Sequence, residues 1–183
     1  MTYSDSLRRD QILGLNPMIF AMAVQLMVWT LGPFAFFGNL HSDSLEAAYW
    51  GREWQLGYSK HPPVTSWLMD LALRTPLPPI LALMLLSQIT VAITAFFVWK
   101  TTRLFASRQT AALAVALYLT SPAATFYAVQ INHNSVLAPF YAGSFYFGLL
   151  FLEERRWRDA ILLGVIAGFG MLTKYELAFV LMT

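Results

Sequence analysis

Two acids, a lysine and two histidines crowd one polar stretch of an otherwise apolar chain. It reads His41-Ser42-Asp43-Ser44-Leu45-Glu46-Ala47-Ala48-Tyr49-Trp50, then Gly57-Tyr58-Ser59-Lys60-His61-Pro62-Pro63. A carboxylate such as Asp43 can act as a general base or a metal ligand, while Asp43-x-x-Glu46 equally matches a helix capping box. Lys60, set before a rigid Pro62-Pro63 turn, is suited to binding phosphate; with His61 it is equally suited to anchoring among lipid headgroups. Tryptophans in such a stretch are commonly membrane-belt residues. Residue types and spacing alone describe an interfacial site for an anionic or phosphorylated ligand.

The elements that must position this stretch are membrane elements. Of 183 residues, 57% are hydrophobic and only 12% charged, against roughly 25% charged in soluble domains. The mean hydropathy is +0.54. A helix crossing a bilayer needs about 20 mainly apolar residues. Segments 17–37, 76–99, 109–129, 136–152 and 160–182 qualify, the third distorted near Pro122 and the fifth either broken near Lys174 or holding Lys174 and Glu176 against protein or water. The fold expected is an all-α, polytopic transmembrane bundle with interfacial helices in a first loop, 38–75. Net charge is +2 and there is no cysteine. Basic residues fall in short clusters between apolar spans, so there is no nucleic-acid footprint.

Those clusters set a direction. Arg8 and Arg9, then Lys100, Arg103 and Arg108, then Arg155, Arg156 and Arg158 mark the cytoplasmic side. The Asp43 loop and the loop at Asn132-His133-Asn134 then share the external side of a multi-pass protein of the inner (plasma) membrane. Residues 42–57 read as a helix lying in the interface and ended by Gly57, with Asp43, Glu46, Trp50, Glu53 and Trp54 on one face. Tyr141, Phe145, Tyr146 and Phe147 read as packing or lipid contacts, and 153–158 as a solvated turn. The chain ends within an apolar run at Thr183, which reads as the N-terminal part of a longer protein.

Three ordered motifs carry a resemblance: Asp43-Ser44 with Tyr49-Trp50 and Gly57-Tyr58-Ser59-Lys60-His61-Pro62-Pro63; Asn132-His133-Asn134-Ser135-Val136-Leu137; and Gly164, Gly168 with Leu172-Thr173-Lys174-Tyr175. Together the chain resembles the N-terminal part of membrane glycosyltransferases of the GT-C type, specifically the family of dolichyl-phosphate-mannose protein mannosyltransferases and the aminoarabinose transferase of lipid A. The resemblance implies transfer of a sugar from a polyprenyl-phosphate donor to a glycan, lipid or protein acceptor. It implies Asp43 as catalytic carboxylate, with Glu46 one turn away. It further implies Lys60 or His61, together with Lys174, at the donor phosphate, and Tyr58, His133 and Asn134 at the substrate. Two positions depart from the pattern. Ser44 stands where a second acid is usual, and Asn134 where a later Asp is usual.

These residues assign no cofactor with certainty. With three histidines and no cysteine a structural zinc site is not supported, and a divalent metal held by Asp43 or Glu46 stays open. Two other readings compete. A flippase for a lipid-linked sugar would need repeat symmetry and a midplane site. A non-catalytic membrane subunit would have lost the acids.

Overall fold

The computed structural model describes residues 3–36 and 39–182, and among these every regular element is helical. They are α1 (Tyr3–Phe36), α2 (Ser42–Gly51), α3 (Val64–Leu73), α4 (Pro79–Phe105), α5 (Arg108–Thr120), a 3-10 turn (Tyr127–Val129), α6 (His133–Glu154), α7 (Trp157–Met171) and α8 (Leu177–Leu181). Phe37 and Gly38, where the first span is expected to end and the loop to begin, lie outside the described residues. Among the described residues three helices are long and apolar enough to cross a membrane: Ile19–Phe36, Pro79–Phe105 and His133–Glu154. Their outward faces carry large apolar side chains, among them Phe20, Met27, Phe96 and Phe145. In water that surface would be costly; in lipid it is the ordinary exterior.

α4 is the centre of the bundle and packs against α1, α3, α5 and α6, while α6 also packs against α7. Three buried clusters hold it. Ala47, Val64, Met69, Leu83, Ile131 and Val136 join α2 and α3 to the first turns of α4 and α6. Val91, Ala95, Val115, Leu119, Ala124 and Ala128 join α4 to α5 and the segment after it. Leu137, Ala167 and Leu177 join α6, α7 and α8. Since Leu83 and Val136 meet in the first cluster, α4 and α6 both start at the end of the bundle that carries α2 and α3.

Several helix bounds differ from the periodicity reading, each for a local reason. α1 runs back through the polar tail to Tyr3. α5 stops at Thr120 rather than continuing to 129, because Pro122 disfavours the helical conformation at the preceding residue, and Ser121 is extended at φ −69°, ψ 153°. α7 stops at Met171, and a turn through 172–174 carries Lys174 before α8 begins; the helix is therefore broken at the lysine. As single helices α5 and α7 have 13 and 15 residues, or about 20–23 Å at 1.5 Å per residue. α6 begins at His133, three residues earlier than expected, on a capping box in which Asn132 accepts from the Asn134 and Ser135 amides and Ser135 accepts from the Asn132 amide.

The largest correction is in the polar loop. α2 ends at Gly51, not Gly57, and a second helix of the loop, α3, whose bounds periodicity did not mark, fills its second half. Gly51 lies flat against α3: a methyl there would collide with the Ser66 carbonyl oxygen and sit 3.0 Å from the Asp70 Cβ. Past it the chain turns through Trp54 at φ 47°. That left-handed residue is held from several sides. Its indole donates to Asp70 Oδ2 at 2.7 Å, stacks on Trp67 with centroids 5.6 Å apart, and lies 5.9 Å from the Arg74 guanidinium. Trp54 and Glu53 therefore leave the helical face that Asp43, Glu46 and Trp50 share.

Two substitutions test this packing. Gly51→Ala forces α2 off α3 and is expected to cost about 1–3 kcal/mol, as overpacking does. Ser44→Ala removes the hydroxyl that donates to the Ile131 carbonyl at 2.7 Å, and leaving that buried acceptor unpaired is expected to cost about 1–3 kcal/mol. Thermal unfolding in detergent micelles checks both, with Leu45→Ala at an exposed position of α2 as the comparison.

Candidate active site at the α2–α3 end of the bundle

Asp43 sits in the first turn of α2. The cap of that helix is His41, whose Nδ1 accepts from the Asp43 amide at 3.4 Å. Asp43 is thus not the capping residue, and the capping-box reading of Asp43-x-x-Glu46 does not hold. The carboxylate is free of helix-end duty and 68% exposed. Its closest ionic neighbour among the described residues is His41 Nδ1, 3.8 Å away. Ser44, next along the helix, points the other way and is fully buried on the Ile131 carbonyl. An acid there would set a carboxylate against a carbonyl oxygen, which explains why a hydroxyl suits this position.

Glu46, one turn on, accepts from Lys60 Nζ through both oxygens, at 2.8 and 2.9 Å. That carboxylate holds the Lys60 ammonium above its ordinary pKa. Trp50 stacks on Tyr58 with centroids 5.4 Å apart. The Tyr58 amide donates to the His61 carbonyl at 3.1 Å, and the turn between them presents Lys60. Burial pushes the Tyr58 hydroxyl pKa up. Pro62 and Pro63 are buried, and the Val64 amide beyond them donates to the Leu172 carbonyl at 3.0 Å. This bond pins the start of α3 to the turn that carries Lys174.

The later motifs close on the same place. His61 stacks on His133 with ring centroids 3.8 Å apart. His133 is buried, and its Nε2 has no hydrogen-bond partner among the described residues. Lys174 Nζ donates to Asn134 Oδ1 at 2.8 Å and pairs with Glu176 at 2.5 Å. Asp43, Glu46, Tyr58, Lys60, His61, His133, Asn134 and Lys174, drawn from four separate stretches of sequence, are therefore gathered at one end of the bundle. Among the described residues no three of His, Cys, Asp and Glu lie together as a metal would need.

Sequence reasoning does not single out Trp29, Pro33, Phe126, Tyr127, Val129 or Gln130, which flank Asp43. A cleft of about 500 Å³ there is lined by Trp29, Pro33, His41, Asp43, Phe126, Tyr127, Val129, Gln130 and Asn132. The only hint in the sequence is the break at Pro122, which lets the segment after α5 fold across α1 instead of continuing as helix.

Known proteins bear on this arrangement in one way. A family model described as dolichyl-phosphate-mannose-protein mannosyltransferase matches residues 60–183. No curated protein and no solved structure matches the chain. The matched residues include Lys60, His61, His133, Asn134 and Lys174. Asp43 and Glu46 precede them and join them through the Lys60 ion pair and the Ser44–Ile131 bond. With more than half its length matched, the chain belongs to the dolichyl-phosphate-mannose-protein mannosyltransferase family, membrane glycosyltransferases of the GT-C type.

Proposed function

We propose that this protein transfers a sugar from a polyprenyl-phosphate donor to an acceptor hydroxyl at the external face of the inner membrane. The observation that carries the reading is the convergence just described: the exposed Asp43 carboxylate, the Glu46–Lys60 pair, Lys174 on Asn134 and the stacked His61 and His133 share one end of the bundle, with the buried His133 Nε2 unpartnered among the described residues. In the reaction the acceptor oxygen attacks the anomeric carbon. The bond from that carbon to the phosphate oxygen breaks, and its electron pair leaves with the phosphate. The acceptor proton passes to Asp43. The phosphate gains charge as it departs and needs cations or donors already in place. Lys60, Lys174, His61 and His133 supply them. Asn134 and Tyr58 can orient the sugar, Asn134 as a hydrogen-bonding group but not as a base.

In this structure Glu46 neutralises Lys60 and Glu176 neutralises Lys174. A donor phosphate therefore exchanges one anionic partner for another rather than entering an uncompensated positive site. Released from Lys60, Glu46 lies one helical turn from Asp43 and is in place to assist it. The long donor chain has apolar helix surface beside this end in which to lie. Lys100, Arg103, Arg108, Arg155, Arg156 and Arg158 belong to the far ends of α4 and α6 and the starts of α5 and α7, which supports a cytoplasmic assignment for that end. The polar groups cluster at one end of the bundle and not at its middle, which favours transfer over transport.

Three results would test this reading. Asp43→Asn, assayed in membrane vesicles with radiolabelled polyprenyl-phosphate sugars and native membrane acceptors, is expected to lower transfer by about 10²- to 10⁴-fold, the usual worth of a general base. Lys174→Met is expected to raise the donor KM more than it lowers kcat. The chain has no native cysteine, so orientation is open to single-cysteine labelling. Ser59→Cys should react with a membrane-impermeant maleimide on intact cells and Ser107→Cys only after lysis. Undiminished transfer by Asp43→Asn, or the reverse labelling pattern, would contradict the proposal.

A further inference from the structure

The cleft on the far side of Asp43 from the lysines has the make-up of a carbohydrate site. We infer that it seats a pyranose ring of the acceptor, stacked between Trp29 and the Phe126–Tyr127 pair, with its hydroxyls held by Asp43, His41 and Gln130. This inference rests on the transferase reading for the word acceptor, and on the cleft itself for the word pyranose.

Three observations lead there. The volume, about 500 Å³, is within the 300–1,000 Å³ range of small-molecule sites. The walls combine flat aromatic surface with a few polar groups, the combination that a sugar ring matches, its C–H faces lying on aromatic rings and its hydroxyls donating to carboxylate and carboxamide oxygens. Phe126 and Tyr127 are 74% and 68% exposed, with ring centroids 5.7 Å apart and planes at 80°, so they present one ring face and one ring edge. A plain membrane belt accounts for exposed aromatics but not for a free carboxylate, an imidazole and a carboxamide facing the same hollow.

The cleft is also rigid before any ligand arrives. Gln25 of α1 donates to the Ala124 carbonyl at 2.7 Å. Ser87 and Gln88 of α4 donate to the Ala128 carbonyl at 2.7 and 3.2 Å, and Ser44 of α2 to that of Ile131. Three elements thus clamp the segment that carries Phe126 and Tyr127.

Saturation-transfer NMR on the protein in lipid nanodiscs tests this. The probes are methyl α-mannoside, methyl β-glucoside and methyl β-galactoside, alongside an acetylated Ser/Thr-rich peptide. At least one glycoside should take up ring-proton saturation, falling five-fold or more in Trp29→Ala and Tyr127→Ala. Trp29→Phe and Tyr49→Ala, the latter an exposed aromatic outside the cleft, should retain it. Should the alanine variants not fold, a nitroxide on Ala123→Cys in the otherwise wild-type chain should broaden the bound glycoside resonances. No glycoside saturation, saturation unchanged by the cleft variants, no broadening, or saturation of the peptide alone would each overturn the inference. Asp43-dependent label transfer without cleft-dependent glycoside binding would sink this inference alone. Cleft binding without any transfer would sink the transferase reading and leave the sugar site standing.

Discussion

A backbone that leaves the helical conformation in apolar surroundings has to find partners for its amides and carbonyls, because neither lipid nor an apolar core supplies them. In this protein that constraint falls on the stretch after α5. Pro122 ends the helix, and the carbonyls of Ala124, Ala128 and Ile131 are left to be satisfied from outside. Gln25, Ser87, Gln88 and Ser44 do so. They come from α1, α4 and α2, so meeting a local need ties three helices to one irregular segment. The functional end is assembled on that segment: it leads into the Asn132 cap of α6, it carries one wall of the Asp43 cleft, and through Ser44 it fixes where α2 lies.

The second organising theme is paired charge. Lys60 with Glu46, Lys174 with Asn134 and Glu176, and Arg74 with Asp70 each place a cation at the α2–α3 end against an oxygen of its own chain. The exposed pairs add little to stability, as surface ion pairs generally do. Their weight is geometric. They hold flexible side chains in place at the end that carries the candidate site, and Asp43 stands outside them with only His41 nearby.

How far the sequence reveals this depends on the range of the interactions involved. The bundle is legible because lipid-facing helices write their apolar character into long runs. The site residues are legible as a group because they are rare in such a chain and occur in ordered motifs. Their juxtaposition is not legible: the stacking of His61 on His133 and the bond from Lys174 to Asn134 join residues far apart in sequence. The length of α2 is misread for a related reason. Periodicity continues to Gly57, but Trp54 is captured by Asp70 and Trp67 of α3, and Gly51 permits a contact that no count along α2 reveals. The Asp43 cleft is invisible for the same cause, since Trp29 and Tyr127 look like ordinary belt residues until the chain is folded.

α4 and α6 run in the same direction, both starting at the end that holds Asp43 and the lysines, and α3 starts beneath the His-Pro-Pro turn. Helix starts carry partial positive charge, about half an elementary charge each. α1 and α7 end where these helices start and bring the opposite partial charge, so the backbone field at the polar end is local: positive within the first turns of α3, α4 and α6, negative at the ends of α1 and α7. Unlike the charge of a lysine, this pattern can be neither titrated away nor removed by changing one side chain. Where an anion could settle at this end is therefore partly written into the direction of the chain.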